Sequence, residues 1–518
     1  MTAASWFLQP ANFQRLARLV LLAGFVWLTG RFWHPYYGFT RFLQMDAASA
    51  ATTLPELREA PIFTYEYGYD GHYYAQLAAR PAVNDPALTG AIDNVGYRAR
   101  RILLSWLAWV AGGGDPVAAV RAYAWLNLVL WAALAALLWR ILPCTGWRET
   151  LAWGGVLFSA GVLHSVRLGL TDQLALLFVA GAMVQVGRGK RGVAAALLSA
   201  GGLARETVLL GAVAFLPAGR ATERDWLKAL FWGAVCFTPL AIWLFYLAST
   251  LGPSEPGLRN FTLPAAGWAA KWVEVWRRLG PEPDRYLVLT TLLAHLALTV
   301  QAVYLIMRPR PADGWWRLGA AYGALLLLLG SAVWEGHPGA ATRVLLPLTL
   351  AFNVLAVRHR AAWTWLVLGN LSVLSGVLAL WQVPRGAHEL AAGRAAAGSY
   401  VVHTDARWYE TETGRTRSWA WCARAGGIQV DLAPRQTTGL NLQVAVKGIG
   451  PRALEIRQAN RVLWRGELGE QIQWIGLPAV AVTAGRAQLE FTSPAEPVPE
   501  SPAGGRALGF AVYGIRID

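Results

Sequence analysis

The sequence predicts an α-helical membrane protein that crosses the bilayer many times, with a C-terminal β-sandwich outside the membrane. Of its 518 residues, 55% are hydrophobic and only 15% are charged, a composition too apolar for a soluble chain of this length. Apolar stretches of near-spanning length recur as far as about residue 381. Beyond about residue 393, apolar and polar residues alternate with a period of two, which is typical of strands.

The membrane part contains about eleven candidate spans. A helix needs about 20 apolar residues to cross a bilayer, and fewer where protein covers its ends. The stretches lie near residues 14–31, 117–141, 150–166, 170–187, 191–204, 206–218, 228–250, 285–307, 316–333, 344–357 and 362–381. Three of the breaks are short, so counts of ten to thirteen also fit. The first stretch has a basic flank but no small-residue cleavage site, and we interpret it as a retained anchor.

The charge distribution predicts the orientation of these spans. Lys and Arg outnumber Asp and Glu by 46 to 31, an excess of 15 positive charges. Such an excess can indicate nucleic acid, anionic lipid or cytoplasmic loops. Here the basic residues occupy every second gap between spans, so the pattern favours cytoplasmic loops and no nucleic-acid partner. We therefore expect a cytoplasmic N-terminus and outward-facing loops 32–116 and 253–284.

Both outward loops carry predicted amphipathic helices. In the loop 32–116 one helix begins at Asp70 and ends before Pro81. A second helix covers Arg101–Ala111 and is too short to span. The loop 253–284 carries a basic helix rich in tryptophan. These helices indicate a shelf that lies on the bilayer surface.

The C-terminal region has a different pattern from the rest of the chain. Several short alternating segments are separated by turn residues such as Gly448, Pro451 and Gly485. Eight to ten strands in about 120 residues predict a β-sandwich. We therefore divide the chain into a membrane domain, 1–392, and an extracytoplasmic β-sandwich domain, 393–518.

A stretch of ten residues, 65–74, holds two carboxylates, five tyrosines and a histidine. Asp70 at a water–membrane boundary could accept a proton from an attacking hydroxyl. The tyrosines around it offer flat faces for sugar rings and hydroxyls for hydrogen bonds, and they are Tyr65, Tyr67, Tyr69, Tyr73 and Tyr74. Tyr69, His72 and Tyr73 are the candidate binding residues of this stretch. Asp70 could equally be the N-cap of the helix that follows it. Glu66 could be a second carboxylate of the site, although a solvated loop glutamate explains it better.

A cluster of three arginines follows about thirty residues later, at Arg98, Arg100 and Arg101. Guanidinium groups suit phosphate because two N–H groups bind it at once. Anchoring of lipid headgroups explains these arginines nearly as well. The cluster therefore predicts a phosphate site or a membrane anchor.

Three further groups of charged residues lie at the ends of predicted spans. They are His164, Arg167 and Asp172, then Arg205 and Glu206, then Glu335, His337 and Arg343. Charge at membrane depth costs several kcal/mol unless it is paired or faces a polar cavity. All three groups fall on the predicted outward side, like Asp70, so we expect one polar site there. Arg167 with Asp172, and Arg205 with Glu206, could also be structural pairs. Neither the histidines nor the three cysteines form a metal-ligand or disulfide pattern.

Several of these motifs resemble the GT-C superfamily of membrane glycosyltransferases. The likeness is to a bacterial group with the patterns YDGQFYY, YRxxRIL and RET. The matching segments here are Tyr69-Asp70-Gly71-His72-Tyr73-Tyr74, Tyr97-Arg98-Ala99-Arg100-Arg101-Ile102-Leu103 and Arg205-Glu206-Thr207. His72 and Tyr73 depart from the Gln-Phe of that pattern. Gly71 stands where the superfamily often has a second acid.

The resemblance implies a bacterial inner-membrane enzyme that moves a sugar from a polyprenyl-phosphate donor to a glycan, lipid or protein acceptor on the extracytoplasmic side. Asp70 would be the general base of an inverting transfer. Outward arginines, with Arg205 and Arg343 among them, would hold the carrier phosphate, and Glu335 and His337 would lie at the same site. No cofactor is expected, although a diphosphate carrier would allow a divalent metal.

Two other functions remain open from the sequence. One is a transporter or flippase of lipid-linked saccharides, which would carry charged residues through the depth of the bundle. The other is a glycan-binding protein of envelope assembly, in which Asp70 would be dispensable. The C-terminal domain resembles carbohydrate-binding sandwiches, but core packing explains its residues Trp408, Trp419 and Trp421 better than a ligand platform does.

Overall fold

The structure is a computed structural model that describes residues 10–47, 49, 51–219, 221–253, 257, 260–279, 285–414, 417–434, 438–501 and 504–517. Parts of the predicted loop 253–284 therefore lie outside the described residues. The chain forms two compact units. The helical unit comprises residues 1–32, 39–60 and 64–383, and the β unit comprises residues 33–38, 61–63 and 384–518.

The helical unit contains five helical segments that are long and apolar enough to cross a membrane. They are Asn12–Gly30, Pro116–Ile141, Glu223–Leu251, Arg285–Met307 and Trp363–Trp381. Shorter apolar helices accompany them at Asp172–Gly187, Arg191–Ala204, Glu206–Phe215 and Leu346–Arg358. The protein is thus a membrane protein, and the count of eleven spans stays a prediction.

Three of the predicted spans are interrupted, and one of them, 362–381, forms the two helices Trp363–Leu368 and Ser372–Trp381. The stretch 150–166 forms two helices, Trp147–Leu157 and Ala160–Arg167, because Ser159 accepts a capping hydrogen bond that starts the second one. The stretch 316–333 forms the helix Gly314–Leu328 and the single turn Ser331–Trp334. At each break, backbone groups and polar side chains lie near the ends of the two helical segments.

The loop 32–116 is built from short helices. They are Pro55–Arg58, Gly71–Ala79, Pro86–Ala91, Val95–Arg98 and Leu103–Ala111, with a 3-10 turn at Ala99–Arg101. Asp85 and Asn94 begin two of them, because each side chain accepts a hydrogen bond from a backbone N–H of the first turn. The predicted helix after Asp70 thus ends at Ala79, before Pro81, and the predicted second helix begins at Leu103.

In the helical unit, a glycine brings this loop against the turn between two apolar helices. A Cβ atom at Gly71 would collide with the carbonyl oxygens of Leu168 and Leu43. Only glycine therefore allows the backbone to approach so closely at this point. The close approach places Asp70 beside the segment that leads into Asp172.

The β unit consists of two main antiparallel sheets that share one apolar core. The first sheet has the strand order Arg461–Leu468, Arg452–Gln458, Arg486–Thr492, Ala425–Ala433, Gly398–Thr404 and Glu389–Ala395. The second has the order Gln473–Ala481, Gly439–Gly448, Phe510–Ile517, Ser418–Cys422 and Glu412–Thr413. Val430 of the first sheet and Val444 of the second belong to the same buried cluster. Trp408, 3% exposed, packs in this core against Phe491 and Phe510.

The β unit begins earlier than residue 393. The strand Glu389–Ala395 pairs with Gly398–Thr404, and its run of alanine and glycine conceals the alternation that marks the later strands. The segments 33–38 and 61–63 also belong to this unit. His34 contacts Glu389 at 3.1 Å, and the Tyr37 hydroxyl lies 2.9 Å from His403 Nε2.

Candidate active site

A cavity of about 170 Å³ in the helical unit brings together side chains from distant parts of the chain. Its polar lining consists of Tyr69, Asp70, Tyr74, Tyr97, Arg101, Thr171, Asp172, Arg205, Asn260 and Arg343. Three of these are arginines and two are aspartates, which leaves one excess positive charge on the described lining. The cavity therefore presents both a carboxylate and an anion-binding surface.

Helix ends explain how residues so far apart in sequence meet here. Asp172 is the first residue of the helix Asp172–Gly187, and Arg205 directly follows the helix Arg191–Ala204. These two helices pack together and are joined by residues 188–190 only, so they run antiparallel. The start of the first therefore lies beside the end of the second. Arg343 comes from the single turn Ala341–Val344.

Asp70 is held by an arginine and does not cap its helix. The Asp70 side chain makes no capping hydrogen bond, although it occupies the N-cap position. Instead, its Oδ1 lies 3.0 Å from Nη1 of Arg98. The carboxylate is 35% exposed, so it is oriented and still reaches solvent. Orientation by a fixed donor together with access to solvent is what a general base requires.

Arg98 also binds Asp93, and that contact is bidentate. Arg98 Nε donates to Asp93 Oδ1 at 2.9 Å, and Nη2 donates to Oδ2 at 2.6 Å. Burial lowers the pKa of Arg98, but the hydrogen bond to Asp93 and the charge of Asp70 outweigh it and raise that pKa above its ordinary value. For Asp93, burial favours a higher pKa, but the contact with Arg98 has the larger opposite effect. The pKa of Asp93 is therefore below its ordinary value. Arg98 is therefore a permanent cation that bridges two carboxylates.

A second network lies deeper in the cavity. The carboxylate of Asp172, only 1% exposed, contacts the guanidinium of Arg205 and lies 3.7 Å from that of Arg343. Arg343 Nη2 also donates a hydrogen bond to the Tyr69 hydroxyl at 2.8 Å. One buried acid thus orients two arginines, and one of these arginines reaches back to the residue before Asp70.

A third pair completes the charged lining. Arg101 Nε lies 3.0 Å from Glu206 Oε2, and its Nη1 donates to the Tyr74 hydroxyl at 3.3 Å. Burial lowers the pKa of Arg101, but Glu206 outweighs it and raises the pKa well above its ordinary value. Glu206 thus pairs with Arg101, and Asp172 pairs with Arg205 and Arg343. The structural pairs suggested by sequence proximity, Arg205 with Glu206 and Arg167 with Asp172, do not appear among the described ion pairs.

The other predicted site residues lie around the cavity or away from it. Tyr73 lies under the Arg98 guanidinium, with 4.6 Å from ring centre to Cζ. His72 is buried next to it, and burial lowers the pKa of His72 below its usual range. Arg100 packs over the ring of Tyr97 and is not among the described lining residues.

Three of the predicted residues are exposed and are not among the described lining residues. They are Glu66, Glu335 and His337. His337 instead contacts the Thr291 hydroxyl at 2.9 Å. The roles predicted for these three residues stay predictions, because none of the three is among the described residues that line the cavity.

Several lining residues were not singled out as ligand groups from the sequence. Tyr74 is one of the tyrosines that the sequence predicts beside Asp70, whereas Tyr97 lies in the motif that contains Arg98 but was not predicted as a ligand group. Asn260 carries no sequence signal and enters the lining only through the fold. Among the described residues, no group of three or more His, Cys, Asp or Glu side chains could hold a metal ion. The cationic side chains among the described lining residues are those of Arg101, Arg205 and Arg343.

Comparison with known proteins gives few similarities. No protein-family model matches the chain. No curated protein matches it. One similar solved structure is the single-particle cryo-electron microscopy structure of the arabinosyltransferase EmbB from Mycobacterium smegmatis, with 11% sequence identity and a TM-score of 0.21. The similarity covers 80% of this chain and 58% of EmbB, so this chain spans less than two thirds of that protein.

Proposed function

We propose that this protein is an inverting membrane glycosyltransferase that moves a sugar from a polyprenyl-phosphate donor to an acceptor hydroxyl on the extracytoplasmic side. The observation that carries the proposal is the common cavity of Asp70 with Arg101, Arg205 and Arg343. A sugar transfer from a lipid phosphate needs a base for the acceptor and cations for the departing phosphate. Both kinds of group line this cavity.

In the proposed reaction the acceptor oxygen attacks the anomeric carbon of the donor sugar. Asp70 takes the proton of the acceptor hydroxyl as the new C–O bond forms. The bond between the anomeric carbon and the phosphate oxygen breaks, and its electron pair leaves with the carrier phosphate. Attack from the face opposite to the phosphate inverts the anomeric carbon.

Arg98 supports Asp70 in this reaction. Because Arg98 is fixed by Asp93 and packs over Tyr73, its contact with Asp70 fixes the direction of the carboxylate. Arg98 is thus a positioning residue in this proposal.

The phosphate would be bound by Arg101, Arg205 and Arg343. Each of them is already paired with Glu206 or Asp172, so their positive charge is partly offset before the donor binds. This arrangement keeps the guanidinium groups in place and avoids an uncompensated charge at membrane depth. The developing charge on the leaving phosphate would then meet donors that need no reorganisation.

The test is transfer from labelled polyprenyl-phosphate sugars in membranes that contain the full chain. We expect Asp70→Asn to lower the transfer rate by at least about 100-fold, the range for loss of a general base. Glu66→Gln is the matched control, because Glu66 is an exposed carboxylate four residues earlier that is not among the described lining residues. Both variants should reach the wild-type amount in the membrane.

The same assay separates the competing functions. A flippase would move the labelled lipid across the bilayer with no new glycosidic bond, and Asp70→Asn would leave that movement unchanged. A glycan-binding assembly protein would show neither transfer nor movement of the lipid. Full transfer by the Asp70→Asn variant would remove Asp70 from the role of base.

A further inference from the structure

A second groove, of about 340 Å³, lies in the β unit and has no part in the proposed reaction. We call it the Trp474 groove, and define it by Trp474, Tyr513, Arg417, Arg516, Ala445 and Gly514. All of these residues belong to the second sheet or to the segment that leads into it. The groove is therefore formed within the β unit.

Small residues form the floor of the Trp474 groove. Trp474 is the cross-strand partner of Ala445, which is in turn the partner of Gly514 on the next strand. These partners lie on one face of the sheet, opposite the face that carries Val444 and Ile475 into the core. A Cβ atom at Gly514 would meet no atom within 4 Å, so the space above the floor is open.

Aromatic rings border the floor. Trp474 is 47% exposed, and it takes no part in the apolar core of the β unit. Tyr513 stacks on Trp419, with 5.5 Å between ring centres and an interplanar angle of 18°. An exposed indole beside a shallow floor offers a flat apolar face on which the C–H face of a sugar ring can pack.

Among its described residues, the Trp474 groove carries positive charge without carboxylates. Several arginines elsewhere in this unit are paired with carboxylates, among them Arg407 with Asp405 and Glu490, and Arg506 with Glu412 and Glu500. Within the described part of the chain, no carboxylate lines the groove and no salt bridge involves Arg417 or Arg516. The Arg516 guanidinium lies over the Trp474 ring at 4.3 Å from its centre. Two cations thus face the groove next to an aromatic platform.

We propose that the Trp474 groove binds an anionic saccharide, a sugar that carries a carboxylate or a phosphate. The sugar ring would pack against Trp474 and Tyr513, and its anionic group would bind Arg417 and Arg516 through charge-assisted hydrogen bonds. A neutral sugar would find the ring contacts but not the charged ones. This binding site is independent of the proposed transfer reaction.

The test measures binding by the full chain in nanodiscs of zwitterionic lipid. The probes are trigalacturonic acid, its neutral methyl ester and mannose 6-phosphate, titrated by calorimetry. We expect at least one of the anionic probes to bind and the ester to bind at least tenfold more weakly. A tenfold change in Kd corresponds to about 1.4 kcal/mol. Raising the salt concentration should weaken the binding of the acid and leave that of the ester unchanged.

Substitutions in the Trp474 groove test whether the probe binds there. Trp474→Ala should weaken binding of the bound anionic probe at least tenfold, and Trp474→Phe, which keeps a ring, should restore part of it. The double variant Arg417→Gln with Arg516→Gln should make the acid and its ester bind equally. Arg461→Gln, an exposed arginine on the other sheet, is the control and should change nothing.

Three outcomes would overturn the proposal. They are no binding of either anionic probe, binding of the neutral ester to the wild type as tight as that of the bound anionic probe, and unchanged affinity for that probe in the Trp474→Ala variant. Because no transfer is measured, failure here leaves the proposed glycosyltransferase activity unaffected. Loss of transfer in Asp70→Asn would likewise leave this binding unchanged.

Discussion

Asp172 is the carboxylate that contacts both Arg205 and Arg343 in the cavity, and the effect of its removal on the stability of the protein can be estimated. Asp172→Asn keeps the shape of the side chain but removes the charge that faces Arg205 and Arg343. The exposed fractions of these two arginine side chains are 12% and 8%, so water does little to replace the lost carboxylate. Breaking a buried ion pair costs about 3–5 kcal/mol. Since both contacts share one acid, we expect about that loss of stability in total and not twice as much.

The measurement is equilibrium unfolding in mixed micelles, with a double-mutant cycle between Asp172→Asn and Arg343→Gln. In the cycle the two losses should not add, because the second change relieves part of the uncompensated charge left by the first. Lys228→Gln is the control. It breaks the exposed pair of Lys228 and Asp225, 3.9 Å apart, and should cost far less stability than Asp172→Asn, because water screens exposed charges. An Asp172→Asn variant as stable as the Lys228→Gln variant, or strictly additive losses in the cycle, would refute the reasoning.

Two further predictions concern Arg98 and His72. Arg98→Gln should lower kcat of transfer at least tenfold and leave the donor KM nearly unchanged. The reason is that Arg98 positions Asp70 and is not among the described lining residues. A rise in the donor KM alone would instead make Arg98 a phosphate ligand. Burial lowers the pKa of His72 in the folded protein below its value of about 6.5 in the unfolded chain. The neutral imidazole therefore contributes its full stabilisation above the pKa of the unfolded chain, and this stabilisation is lost as the pH falls through the pKa of the folded protein. His72→Gln should therefore reduce the loss of thermal stability between about pH 7 and pH 5, and an unchanged pH profile would contradict this.

Much of the helical architecture could be predicted because apolar runs end where charge begins. The predicted spans 191–204 and 285–307 coincide with the helices Arg191–Ala204 and Arg285–Met307. In the β unit, the period-two pattern also holds within the strand Gln473–Ala481, where Ile475 faces the core. The same alternation would have placed Trp474 on the opposite face and marked it as exposed.

The charge pairing in the cavity could not be predicted from proximity in the sequence. Arg205 and Glu206 are neighbours, yet they pair with Asp172 and Arg101. Adjacent side chains at a helix end point in different directions, so long-range packing decides their partners. Gly71 shows the same limit, because its need for glycine comes from the Leu168 carbonyl, nearly a hundred residues away.

In the proposed function, Asp70 and the arginines Arg101, Arg205 and Arg343 form a single binding site for a phosphate-linked sugar. Cryo-electron microscopy of the full chain in nanodiscs with a non-hydrolysable polyprenyl-phosphonate sugar tests it most directly. The phosphonate should lie within hydrogen-bond distance, about 3 Å, of at least two of these arginines, with the sugar next to Asp70. A phosphonate bound elsewhere on the protein, with Asp70 remote from the sugar, would contradict the account.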